Sequence, residues 1–269
     1  MIIQHKYQKK QRKIGSLTVF SLLFFSIAFF WALKTPAKEE GNNINAPVLF
    51  QPPPGEEYPE DTKGGGSRDE GGSCDLDSIA QPDTDNLDKL TAIAPDSYYG
   101  STTIERPTFW VNVPKTSAQQ AILLIKKSSN PDWHQSVTHS QQSIDLTGKA
   151  GLIGIKLSEN APALEIGESY QWVVALVCGN QPNPNDPLVA TGIKRIAKSP
   201  ISKQLSNTFT QLDKASIYAQ NGVWYDALDI LIAEKASLNN WNDIWLEYLQ
   251  SGGLSSEIAK EPVIGKLGI

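Results

Sequence analysis

The stretch 164-LEIGESYQWVVALVC-178 decides what kind of fold this chain can make. From Tyr170 to Cys178 it holds no charge, glycine or proline. Tyr170, Trp172, Val174 and Leu176 share one parity, and Val173, Ala175 and Val177 share the other. An apolar run of this length, rich in aromatic and β-branched residues, reads as a strand buried on both faces, central in its sheet. Just upstream, Leu164, Gly167 and Tyr170 stand at three-residue steps. That is the layout of a tyrosine corner, in which a Tyr hydroxyl bonds back to the backbone at the turn into a late strand. An ordinary glycine turn leading into a strand is the alternative.

Working outward, residues 88–198 keep a β pattern. In 107-PTFWVNVP-114, Phe109, Val111 and Val113 share one face, and Trp110 and Asn112 share the other. The bracketing prolines mark strand ends. The apolar run 120-QAILLIKK-127 is followed by the turn chemistry of 128-SSNPD-132 and the alternating return 133-WHQSVTHS-140. Two more strands are 151-GLIGIKL-157 and, after the turn-rich 180-NQPNPNDP-187, 188-LVATGIKRI-196. Short strands at regular spacing predict an antiparallel immunoglobulin-like β-sandwich over residues 74–198.

After residue 198 the period changes. Ser199 before Pro200 reads as a cap with proline at the first helical position, and Thr210 with Asp213 has capping-box spacing. Helices are expected over 199–207, 210–222, 223–237 and 240–252, with a short one near 255–260, which makes 199–262 a helical module and 263–269 a tail. The run 218-YAQNGVWYDAL-228 has the aromatic, turn-glycine and small-residue steps of one tetratricopeptide-like unit. No second copy follows at a period near 34 residues, so the module is expected to pack on the sandwich or on a partner.

Residues 1–37 are read as a targeting segment. A basic head (Lys6, Lys9, Lys10, Arg12, Lys13) precedes the uncharged run 17-LTVFSLLFFSIAFFWAL-33. This is a secretory signal peptide or an N-terminal membrane anchor, and both outcomes stand open. Either one exports the body, to the periplasm or to the outer side of a membrane. Residues 38–73, with 51-QPPPG-55 and the glycines of 62-TKGGGSRDEGGSCD-75, read as a disordered Pro/Gly-rich linker. Residues 1–37 carry six bases and no acid, so the remainder holds 18 bases against 29 acids, a formal charge of −11. An acidic body argues against nucleic acid as a partner. Cys74 and Cys178 are the two cysteines. In an exported chain they most simply form one disulfide, with two free thiols as the alternative.

No constellation of catalytic, cofactor-binding or metal-ligating residues emerges, and no cofactor is expected. His134 and His139, five apart, fall on opposite faces of a strand. HExxH and GxSxG are absent, and the glycine run completes neither nucleotide motif. Acidic pairs such as Asp83/Asp85 and Asp226/Asp229 read as solvated faces. Trp110 and Trp133 are the candidate surface aromatics for stacking on a sugar, whereas Trp172 shares the parity of the core.

The order 71-GGSC-74, 90-LTAIAP-95, Gly100, 107-PTFWVNVP-114, 164-LEIGESYQW-172, Cys178 and 218-YAQNGVWYDAL-228 resembles an uncharacterised cyanobacterial family, a domain of unknown function, number nine hundred and twenty-eight. The resemblance spans about residues 64–262. It implies an exported or membrane-associated protein and a Cys74–Cys178 pair, and it brings no catalytic residues. Asn112 stands where that family more usually has an aromatic. The function expected is that of a non-catalytic envelope protein, not an enzyme, that contacts a protein partner through the helical module and the membrane through an uncleaved N-terminus. A glycan-binding module is the alternative, and a hydrolase with dispersed carboxylates comes third.

Overall fold

The computed structural model describes residues 47–54, 74, 89–96, 98–127 and 136–268. The apolar run at 17–33, the glycine run, Trp133 and His134 lie outside the described residues. Among those described, no helix is long and apolar enough to cross a membrane.

Among the described residues, nine strands form two sheets. The first has the order β1 (Thr91–Ala92), β3 (Thr108–Val113), β6 (Gly151–Lys156), β9 (Val263–Leu267). The second has the order β2 (Gly100–Thr102), β8 (Leu188–Arg195), β7 (Ser169–Val177), β4 (Gln120–Lys127), β5 (Val137–Asp145). The uncharged run that opened the sequence is β7, in the middle of the larger sheet, but it is fully buried on one face only: Tyr170, Trp172, Val174 and Leu176 are buried, while Val173 and Ala175 on the other face are half-buried. It pairs antiparallel with β4 on one side and β8 on the other, with Trp172 opposite Ile125 and Thr191. The sheets share one apolar core. Phe109 of β3 meets Trp172 of β7 there, with ring centroids 5.2 Å apart.

Two pairings depart from the antiparallel expectation. β2 runs parallel to β8, and β9 runs parallel to β6. Parallel neighbours need long connections, and the helices supply the one that leads to β9. Residues 263–269, read as a tail, therefore hold the edge strand of the first sheet.

The helices are α1 (Ser199–Ser206), α2 (Gln211–Gln220), α3 (Trp224–Ala233) and α4 (Trp241–Ser251). The Thr210 side chain accepts the Asp213 N–H and caps α2. α1 is capped one residue earlier than expected, at Lys198, with Pro200 inside its first turn. Gly222 turns α2 into α3 at φ +73°, a left-handed conformation that favours glycine. α3 stops at Ala233 and hands over to a 3-10 turn at Glu234–Ala236, shorter than its apolar pattern predicts. Trp224, Tyr225, Leu228, Trp245, Tyr248 and Leu249 of these helices are buried in the same core as the sheets.

The linker reading needs its largest correction at residues 47–54. Val48 and Phe50 are buried while Pro47, Leu49 and Gln51 face solvent. This alternation belongs to an extended segment with one face on the protein. Four prolines in eight residues make the stretch look like a spacer. Two apolar anchors give it enough buried surface to be ordered.

Candidate interaction site

α3 is the element that joins the layers, and its side chains show how. Tyr225 enters the core, where its hydroxyl accepts the Trp172 Nε1–H (2.8 Å) and donates to the Gly192 carbonyl (3.1 Å). Burial pushes this hydroxyl far above its ordinary pKa. One residue on, Asp226 is 3% exposed. Its carboxylate accepts from Thr102 Oγ1 (2.6 Å), Thr103 Oγ1 (2.5 Å) and Thr103 N–H (3.1 Å) at the end of β2. One turn further, Asp229 accepts from Trp110 Nε1 (2.7 Å), Thr108 Oγ1 (3.1 Å) and Lys266 Nζ (3.1 Å). Residues three apart on a helix share a face, so this face of α3 grips β2 with one carboxylate and β3 and β9 with the next. Desolvation raises the Asp226 pKa, and the three hydrogen bonds oppose it without cancelling it.

These two aspartates also line a cleft of about 300 Å³ with Ile104, Gln211, Tyr218, Ile230, Ala233 and Glu234. The pair was read as a solvated face. Apart from Lys266, their partners lie more than a hundred positions away, so no local pattern reveals them. As a general acid or nucleophile each would have to release donors that it already holds. The geometry makes them fastenings between layers. Among the described residues no group of three His, Cys, Asp or Glu is placed to hold a metal ion.

The segment 47–54 lies against the other side of the helix hairpin. The Gln51 N–H donates to the Ala219 carbonyl (3.0 Å), and the Phe50 N–H donates to Ser251 Oγ (2.8 Å). Ser216 Oγ donates to the Pro47 carbonyl (3.2 Å). The Phe50 ring meets Trp224 edge-on at 5.1 Å, and Trp224 stacks on Tyr248 at 4.4 Å. Pro53 sits so close to the α2–α3 turn that a Cβ at Gly222 would lie 2.4 Å from its ring. Beside the segment a cleft of about 250 Å³ stays open, lined by Phe50, Pro52, Asp96, Tyr98, Gln250 and Ser251.

Several residues marked in the sequence fall in different places. Cys74 and Cys178 are bonded, closing a separation of 104 residues at the end of β7. The Tyr170 hydroxyl accepts the Glu165 N–H at 2.9 Å, the Leu164 carbonyl accepts from Arg195, and Gly167 has φ +88°. Burial is the main cause that raises the Tyr170 pKa. Trp110 is not a surface residue. It is 1% exposed, pinned by Asp229, with the Lys266 ammonium 5.8 Å from its ring centroid. Its indole also lies across Gly154, where a Cβ would sit 2.8 Å from the ring. It has no face to offer a sugar. β3 is buried on both sides because α3, together with the Lys266 side chain, covers the face that carries Thr108 and Trp110. His139 lies with its Nε2 3.2 Å from the Pro162 carbonyl.

A β-rich domain of two sheets closed by C-terminal helices is the class this architecture defines. The sequence model of a family described as Domain of Unknown Function (DUF928) matches residues 63–263, and the chain belongs to that family. No curated protein and no solved structure matches the chain.

Proposed function

We propose that this is a non-catalytic protein of the cell envelope, exported by its N-terminal segment, which acts by binding another protein through its helical layer. The observation that carries this reading is the seating of residues 47–54 on that layer. An extended stretch of chain is held there by two backbone N–H donors, a serine hydroxyl and two buried apolar anchors. On the same helical layer, Phe209 stands 97% exposed just ahead of α2. The α2–Gly222–α3 hairpin supports a tetratricopeptide-like reading. The two sheets and the Tyr170 hydroxyl bond support an immunoglobulin-like one. The cyanobacterial origin implied by the family resemblance belongs to the same proposal.

Deleting residues 199–269 is no test of this function, because it would strip Trp172 of Tyr225 and leave the core open. In-cell lysine crosslinking, followed by mass spectrometry of the membrane fraction, is the test. Crosslinks to other envelope proteins are expected to concentrate at Lys203, Lys214 and Lys235 on the helical side. Crosslinks confined to Lys126 and Lys149 on the sheet side, or none at all, would contradict the proposal.

A further inference from the structure

The family match begins at residue 63, so the segment 47–54 lies outside the shared domain while the groove beneath it lies inside. We propose that this groove is a recognition site for an extended segment of a partner protein, and that residues 47–54 are its own autoinhibitory occupant. The partner segment carries an aliphatic residue, an aromatic two positions on, a basic residue two positions after that, and then proline. The inference rests on the reading of the helical layer as the contact face, and adds which chemistry it reads.

Each feature of that ligand has a counterpart in the groove. The aliphatic and aromatic positions are those of Val48 and Phe50, both buried, the latter edge-on to Trp224. Their spacing of two matches an extended backbone, which the Ala219 carbonyl and the Ser251 hydroxyl hold by accepting consecutive N–H groups. Proline is tolerated where no groove acceptor waits for an N–H, and Pro53 fits a turn whose glycine leaves room for its ring. The basic position is where this chain's own segment falls short. Pro52 lines the open cleft together with Asp96, Tyr98 and Gln250, and it makes no use of that carboxylate. A Lys or Arg there would reach toward Asp96 and gain an ion pair that the resident segment lacks.

Tethering also decides which occupant exchanges. A segment on the same chain acts at an effective concentration of about millimolar. A second copy's identical segment, at lower concentration and with no added contact, does not displace it. A partner segment with the extra charge pair has an advantage to set against the tether.

The test uses the full chain with Val48→Asp and Phe50→Asp, which vacates the groove, and a fluorescein-labelled peptide of 45-NAPVLFQPPPG-55 read by anisotropy. The vacated protein is expected to bind the peptide on the order of a hundredfold more tightly than the wild type, whose groove is filled. The Pro52→Arg peptide is expected to bind about two- to fivefold more tightly still, a gain that Asp96→Asn removes. If the double variant does not fold, Phe50→Ala in the full chain gives the same order of affinities with a smaller span. Absence of binding up to about 1 mM peptide, the effective concentration of a tether, would overturn the proposal. So would equal binding by wild type and variant, or an arginine gain that survives Asp96→Asn. A wild type that dimerises through exchanged segments would overturn the choice of partner. Failure of the peptide assay alongside helical-side crosslinks to envelope proteins would remove this inference alone and leave the wider function standing.

Discussion

Asp226 shows how much one buried side chain can carry. Its removal by Asp226→Ala leaves two threonine hydroxyls and an N–H without their acceptor in a buried place, a loss of about 2–4 kcal/mol in stability. Asp226→Asn keeps an acceptor and is expected to lose less than half of that. The pH dependence has a definite sign. Because burial raises the folded-state pKa above the unfolded value, the folded protein holds the proton more tightly. The wild type's stability relative to Asp226→Asn is therefore greatest below the ordinary aspartate range. It falls as pH rises through the raised pKa. Urea titrations of both proteins across that range check this, and a difference that grows with pH would contradict it. Asn112 presents the opposite case. Both of its side-chain polar atoms are buried without a hydrogen-bond partner. Asn112→Leu, of similar volume, is expected to raise stability by about 1 kcal/mol. A lowered denaturation midpoint would contradict that. Neither aspect of these residues was legible in the sequence. An aspartate on a helix face and an asparagine in a strand look ordinary until residues from distant segments close over them.

At the scale of elements, legibility followed locality. β3, β4, β6 and β7 announce themselves, because alternation and bracketing turns are properties of a few neighbouring residues. The Thr210 cap and the Asn221–Gly222 stop are local too, and α2 begins and ends where they place it. β2 has three residues and β9 a central glycine, and both exist through parallel pairing with strands far along the chain. Residues 47–54 were the least legible, since prolines mask a segment whose order comes from side chains that dock elsewhere. The Gly222 turn tests the link between them. Gly222→Ala combines a strained left-handed conformation with a Cβ pressed on Pro53. It is expected to cost about 1–2 kcal/mol and to expose 47–54 to proteolysis. A variant as resistant as wild type would show that the segment does not depend on the turn.

The whole molecule is held together by long-range ties of different kinds. The disulfide closes 104 residues from Cys74 to the end of β7. By chain entropy its loss in Cys74→Ser/Cys178→Ser costs up to about 4–5 kcal/mol. A denaturation midpoint unmoved by the double substitution or by reductant would show that the unfolded chain is not constrained in this way. Asp226, Asp229 and Tyr225 of α3 tie the helices to both sheets. The segment 47–54 ties the N-terminal side to the same helices. With its anchors seated, the helical layer is a filled contact face, and its proposed role depends on that occupancy. Native-state hydrogen exchange on the full-length protein measures it directly. Four residues of 47–54 carry an N–H: Val48, Leu49, Phe50 and Gln51. The account predicts slow exchange at Phe50 and Gln51, whose amides are bonded to Ser251 and Ala219, and faster exchange at Val48 and Leu49. Exchange at the rate of unstructured chain at all four would contradict it.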